Sequence, residues 1–455
     1  MKNASTPHNR HRRFACLLGL LLLMIMSRYA FQIDLPRLAF LGMIGLIVLL
    51  GDQDEITAMI IACIPLHESI DFFYALVLCT AVYVCKFYRQ IRLGNNVLLV
   101  LVIILWELLH CLRSSFSPVE FLSCVIPFIV LAVLMASDVE KIDYGFVART
   151  FAWVTLGVSV ILFVRVLYLS DFDMIRAIAG LRRLGLDTHT GVGNVKTSGN
   201  QINPNTLGIV TVLASTGLMQ VRRMGSGRKL DLVLMCAMIV LAALGTSRTY
   251  LVCLMLMVVL LVLSERGGLG KKAKALAGVS VMVAAAVVIF ALLFPSNFKY
   301  FVSRFTDRDI TTGRDSLMVQ YHNFIVDNPK VLLFGIGCQD YGFRLTELYR
   351  VAENVPHNSI QELIIVWGMP GLLLFAALFV SMFYESVRRN RSQSLLNTIP
   401  LIIILFKGMA GQMITSPYTM LAFSFAYLSL CTDLTRRGVA KYSIYNLTRK
   451  CVKFI

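Results

Sequence analysis

In the stretch VPHNSIQELIIVWGMPGLLLF, His357 stands between a polar segment, 295–358, and an apolar run long enough to cross a bilayer. Ser359 and Glu362 form an S-x-x-E pattern just ahead of that run, which predicts a capping box and a helix beginning near position 360. His357 would then lie just outside the helix, near the positive end of its dipole, where an imidazole is kept neutral with a lone pair available. That is the state a general base needs. A plain capping or interface histidine is the competing reading of the same position.

Guanidinium groups form the second set. FVSRFTDRDITTGRDSL brings Arg304, Arg308 and Arg314 together in the polar segment, and GTSRTY sets Arg248 in a tight connection between two apolar runs. Guanidinium forks match phosphate oxygens two at a time, and several can hold a diphosphate without a metal. Asp307, Asp309 and Asp315 keep a solvated charged face open as the alternative for the loop arginines, as a solvated turn is for Arg248. Within apolar runs lie Glu107 and His110 (LVIILWELLHCL), Arg165 (ILFVRVLYL) and Lys407 (LIIILFKGMAG). Charges in such places are costly and point to function by default. Glu107 and Arg165 fall near span ends, where snorkelling or a structural ion pair also accounts for them. Lys407 falls near the middle of its expected span.

The elements that must position these residues follow from composition. The chain has 455 residues, is 57% hydrophobic and 15% charged, and has a mean hydropathy of +0.73. A soluble fold of this length cannot hide so much apolar surface, so lipid is the solvent for most of it. The expected fold class is all-α, a polytopic membrane protein. The net charge of +17 is not a nucleic-acid signal, because Lys and Arg recur in every second connection as the positive-inside rule requires. Apolar runs lie at 14–31, 38–50, 56–68, 71–85, 97–112, 118–136, 150–168, 204–220, 230–244, 250–263, 275–294, 359–384, 398–414 and 418–431. Of these, 38–50 and 56–68, joined by GDQDE, could form a re-entrant hairpin, which gives about 12 to 14 spans.

The expected organisation is a cytoplasmic N-terminus (1–13), transmembrane helices over 14–294 with an outer connection at 169–203, a large extracytoplasmic loop (295–358), three further spans (359–431) and a cytoplasmic tail (432–455). The basic start before the apolar 14–26 reads as an uncleaved first helix rather than a signal peptide. The large loop carries seven Lys/Arg and seven Asp/Glu with Phe, Tyr, Leu and Val throughout, which argues for a folded cap. MIRAIAGLRRLGLD (174–187) is amphipathic and suits an interfacial or a surface helix. Gly368, Pro370 and Gly371 predict a kink. The eleven cysteines lie mostly in apolar runs, as free thiols. No metal-ligand spacing appears, and FGIGCQDYG lacks the dinucleotide-binding spacing, so its glycines serve tight turns.

The stretch PHNSIQELIIVWGMPGLLLF, with His357-Asn358 followed by L-x-x-x-x-G-x-x-G-L-x-x-F from Leu363 to Phe375, resembles the signature of the bacterial O-antigen ligase and O-antigen polymerase superfamily. NPNTLG (203–208), GTSRTY (245–250) and TTGRDSLMVQYHNFIVDNPKVLLFGIG (311–337) resemble three further segments of that family, in the same order. The resemblance covers about 200 to 375. It implies a metal-independent, cofactor-free glycosyltransferase whose donor is a glycan on an undecaprenyl-diphosphate carrier at the outer face of the cytoplasmic membrane. Carried over by position, His357 matches the base, while Arg248 and Arg314 match the diphosphate arginines, with Arg304 beside them. Asn205 matches the asparagine of the N-x-LG segment as an accessory residue, and Glu107, Arg165 and Lys407 are further accessory candidates. Expected partners are the lipid-linked oligosaccharide and membrane lipid, with a chain-length regulator and a flippase as further candidates. A repeat-unit polymerase for capsule, O-antigen or exopolysaccharide is the favoured reading, a ligase acting on a lipid, wall polymer or protein acceptor the alternative. A flippase or transporter is the reading from another class, with Lys407 as its midplane charge.

Overall fold

The computed structural model describes residues 11–112, 117–181, 184, 203–265, 267–306, 314–339, 341, 344–345, 356–389, 394–409 and 411–432. Apolar runs become helices in chain order: α1 (Arg12–Tyr29), α2 (Arg37–Leu50), α3 (Gln53–Leu66), α4 (Phe72–Phe87), α5 (Asn95–Leu112), α6 (Pro118–Ala136) and α7 (Tyr144–Leu169). A short α8 (Met174–Gly180) precedes α9 (Pro204–Arg223), α10 (Lys229–Ala243), α11 (Arg248–Leu263) and α12 (Leu269–Leu293). The polar segment folds as α13 (Pro295–Thr306), α14 (Arg314–Asp327) and α15 (Pro329–Phe334), and α16 (Ser359–Arg389), α17 (Ser394–Gly408) and α18 (Pro417–Cys431) complete the bundle. No strand occurs among the described residues.

Among the described residues, five helices are long and apolar enough to cross a membrane, within 72–90, 95–112, 118–136, 144–169 and 359–388, and four shorter apolar helices lie at 37–50, 248–263, 395–408 and 417–431. Large side chains such as Leu49, Leu105, Val240, Met255 and Val288 face outwards, as expected where hydrocarbon is the surrounding medium. α3 is different. Every residue from Asp54 to Leu66 is buried, because a helix apolar all round must be enclosed by others. Its 14 residues span roughly 21 Å, so the core of the bundle is built on a helix shorter than the bilayer is thick. Asp52 starts it with a capping box, accepting from the Glu55 N–H (3.0 Å) while Glu55 accepts from the Asp52 N–H (3.1 Å).

Contacts at the helix ends give the bundle two poles. At one, His11 meets Glu55 (3.0 Å), Lys86 donates to the Leu49 and Gly51 carbonyls (2.7 Å each), and Arg149 pairs with Asp231 (3.1 Å). At the other, Arg165 donates to the Tyr29 carbonyl (2.6 Å), Asn203 N–H to Glu68 (3.0 Å) and Asn297 to the Leu244 carbonyl (3.1 Å). His357 lies at the second pole.

α16 breaks where the sequence predicts a kink. Gly368 has φ +68° and ψ −171°, a region open essentially to glycine alone. The carbonyls freed by the break are satisfied from outside the helix. Ile336 N–H donates to Ile365 O and Gly337 N–H to Val366 O (2.8 Å each), and Trp106 Nε1 donates to Trp367 O (3.0 Å). Gly335 and Gly337, both at positive φ, allow this approach; a Cβ on Gly335 would lie 2.3 Å from the Val366 oxygen. The glycines of FGIG therefore permit backbone-to-backbone contact as well as turns.

Candidate functional site

A cavity of about 180 Å³ opens beside His357. Its wall is assembled from remote pieces of chain: Glu68 from the α3–α4 turn, Asn203, Asn205 and Thr206 from the start of α9, and Thr249 from the start of α11. Lys407 enters from the last turn of α17, Gln412 and Ser416 from the α17–α18 connection, and Tyr418 from the start of α18. The structure thus brings His357, Asn205 and Lys407 together.

The sequence explains the register of these pieces. Asn203 caps α9 by accepting from the Asn205 N–H (2.9 Å), and Pro204 occupies the first helical position, where its missing N–H costs nothing. Ser247 caps α11 by accepting from the Tyr250 N–H (3.2 Å), and its hydroxyl also donates to Asn205 Oδ1 (2.6 Å). Arg248 is therefore the first residue of a helix whose cap is tied to the N-x-LG segment. Gly208 makes the approach of the two helices feasible, since a Cβ there would lie 2.5 Å from that of Tyr250.

Arg304 lies on α13 and Arg314 opens α14; their side chains, like Arg308 as a whole, lie outside the described residues. Backbone placement is informative nonetheless. The start of α13 is held against the α10–α11 turn by Asn297. α14 lies against α16, where Gln361 donates to the Met318 carbonyl (2.8 Å).

The predicted capping box at Ser359 does not form. Asn358 caps α16 instead, accepting from the Ile360 N–H at 2.9 Å and the Gln361 N–H at 3.3 Å. Ser359 donates to the Gly411 carbonyl (3.1 Å). Glu362, fully buried, accepts the N–H groups of Met413 (2.6 Å), Ile414 (3.3 Å) and Thr415 (2.8 Å). Tertiary demand wins over the local pattern here, because the 411–416 connection has N–H groups that need a buried acceptor. The same carboxylate thereby fixes one wall of the cavity relative to His357.

Two accessory candidates sit elsewhere. Glu107 is 0% exposed and lies at the α16 break, accepting from the N–H groups of Cys338 (2.9 Å) and Gln339 (3.2 Å) and from Trp367 Nε1 (2.6 Å). Arg165 holds the C-terminal end of α1 through the Tyr29 carbonyl. Lys407 requires a correction of place: α17 ends at Gly408, so the residue lies in the terminal turn rather than mid-span. Its Nζ donates to the Gln412 carbonyl and to Thr419 Oγ1 (3.0 Å), and lies 5.2 Å from the Tyr418 ring centre.

Sequence reasoning missed Glu68, Thr249, Ser416 and Tyr418. The available signal is LHES at 66–69, a titratable pair at the end of the apolar run 56–68. In the structure His67 Nε2 lies 3.2 Å from Glu68, and the His67 ring packs on Tyr418 at 4.5 Å.

Residues 232–376 match the family model described as O-antigen ligase. The match runs from α10 to just past the α16 break and includes Arg248, Arg304, Arg314 and His357, while Glu68, Asn205 and Lys407 lie outside it. It supports the O-antigen ligase and polymerase superfamily for this multi-pass, helical chain. No curated protein matches the chain.

Proposed function

We propose that this chain is a repeat-unit polymerase of the O-antigen polymerase and ligase type. It transfers a glycan from an undecaprenyl-diphosphate carrier to a hydroxyl of another lipid-linked unit at the outer face of the cytoplasmic membrane. The observation that carries the reading is the meeting of His357 with Asn205 in one cavity, next to the helix that Arg248 begins.

In this reaction the acceptor hydroxyl attacks the anomeric carbon of the donor sugar. A carbon–oxygen bond to the acceptor forms as the carbon–oxygen bond to phosphate breaks. The hydroxyl proton passes to His357, and the electron pair leaves on the diphosphate. Arg248, with Arg314 and Arg304 of the polar segment, offsets the charge that develops there. Fixed cations aimed at developing charge act most strongly where water is excluded. Orientation follows from charge: Arg12, Arg13, Lys86, Arg89, Arg222, Arg223, Lys271, Lys272 and Arg388 belong to the pole opposite His357. By the positive-inside rule that pole faces the cytoplasm.

The test is incubation of the purified chain with a single lipid-linked repeat unit. A ladder of lengthened products supports the polymerase. Product formed only after a second acceptor is added supports the ligase reading, which the matched family accommodates equally.

A further inference from the structure

The cavity beside His357 is polarised beyond what one general base requires. Four helices begin at its wall: α9 at Pro204, α11 at Arg248, α16 at Ser359 and α18 at Pro417. A residue at or beside each start lines it: Asn205 and Thr249 in the first turns of α9 and α11, His357 just ahead of the Asn358 cap of α16, and Ser416 at the cap position of α18. Each helix start carries roughly half a positive charge. Asn203, Ser247 and Asn358 accept first-turn N–H groups at three of them, while Ser416 makes no such bond at the fourth. The fifth helix to reach the cavity, α17, arrives by its C-terminus, and there Lys407 supplies a cation.

Lys407 is 7% exposed, and its partners are a carbonyl, a hydroxyl and an aromatic face. Among the described residues no carboxylate forms an ion pair with it. Glu68 is the one carboxylate on the described wall, and its oxygens already accept from the Asn203 N–H (3.0 Å) and meet His67 Nε2 (3.2 Å). A buried cation without a counter-ion is unfavourable unless an anion joins it. The ends of four helices and the one ammonium group all favour the same visitor.

We propose that this cavity is an oxyanion subsite, with Lys407 as its specificity-determining residue, and that it receives a carboxylate or phosphate group carried by the substrate. This rests on the transferase reading above and names what the substrate must carry. The volume of about 180 Å³ is below the ~300 Å³ of sites that enclose a drug-sized molecule. It therefore takes one anionic group and leaves the glycan chain outside. The group comes either from an acidic sugar of the repeat unit or from the carrier diphosphate.

The experiment is calorimetric titration of the full-length chain in nanodiscs with three ligands: polyprenyl diphosphate without sugar, and the same lipid bearing a glucosyl or a glucuronyl residue. Lys407→Gln is expected to weaken anion binding at least tenfold, and Lys407→Arg to stay within about threefold of the parent. Equal losses for all three ligands assign the subsite to the diphosphate; a loss confined to the glucuronyl lipid assigns it to a sugar carboxylate. Ser416→Asp provides a second variant. The Ser416 hydroxyl makes no cap bond and accepts from Thr419 Oγ1 (3.0 Å), and a carboxylate can accept there too. The substitution keeps a residue as favourable as Ser at a helix start while adding a negative charge to the wall. It too should weaken binding at least tenfold. Unchanged affinities in folded Lys407→Gln and Ser416→Asp overturn the inference. Tight binding by the parent with no glycan transfer under any acceptor overturns the transferase reading and leaves the subsite standing.

Discussion

The hydroxyl of Ser247 donates to Oδ1 of Asn205 at 2.6 Å, joining the cap of α11 to the first turn of α9. This bond sets Arg248 relative to the cavity, since Arg248 follows Ser247 directly. Replacing Asn205 by Ala removes the acceptor and leaves the Ser247 hydroxyl to find another. We expect a stability loss of about 1 kcal/mol with a larger fall in transfer rate. Thermal unfolding measured beside product ladders checks the separation of the two effects, and equal activity would contradict a positioning role.

His357→Ala should lower transfer by about 10²–10⁴-fold, the usual range for loss of a positioned base. Arg248→Ala should lower it by roughly 10²–10³-fold, as for removal of one group that stabilises developing charge. Cellular protein level and the pool of lipid-linked single units should be unchanged in both. Full-length polymer from the His357→Ala chain would remove the mechanism.

Glu107→Gln should destabilise the protein without touching the cavity. One carboxylate oxygen becomes an amide NH₂ facing N–H donors of Cys338, Gln339 or Trp367. A buried donor left without an acceptor costs about 1–3 kcal/mol. Differential scanning should show a lowered midpoint, and an unshifted one would mean that the 338–339 turn is held by other contacts.

Gly368→Ala should also destabilise, by about 1–3 kcal/mol for the backbone conformation alone. The added Cβ would further lie 2.6 Å from the Leu333 oxygen. Detergent-solubilised yield and thermal midpoint are the measurements.

Val319 on α14 is 61% exposed, so Val319→Cys reports the side of the membrane. A maleimide that does not cross membranes should label it in intact cells above the background of the unmodified chain. Labelling only after lysis would place the polar segment in the cytosol and end the proposed transfer at the outer face.

Much of the helical layout was legible because apolar runs in a lipid-solvated chain have few alternatives to helix. His357 was legible because a polar segment and an apolar run meet beside it. Glu362 was misread because S-x-x-E is a local pattern, whereas its three N–H partners lie more than fifty residues away. Lys407 was set mid-span because LIIILFKGMAG continues apolar beyond Gly408, and composition does not reveal where a helix stops among glycines. Glu68 and Tyr418 join the cavity from helices that the sequence gives no reason to pair.

The seam where Ile336 and Gly337 bind the opened backbone of α16, with Glu107 and Trp106 closing it from α5, bears on how this protein can be re-engineered. Three stretches far apart in the chain, around 106–111, 334–339 and 363–371, are one unit of exchange. A chimera that imports the polar segment from a relative with a different product should take all three from the same parent, or make its cut before Asn328, where the junction leaves the seam whole.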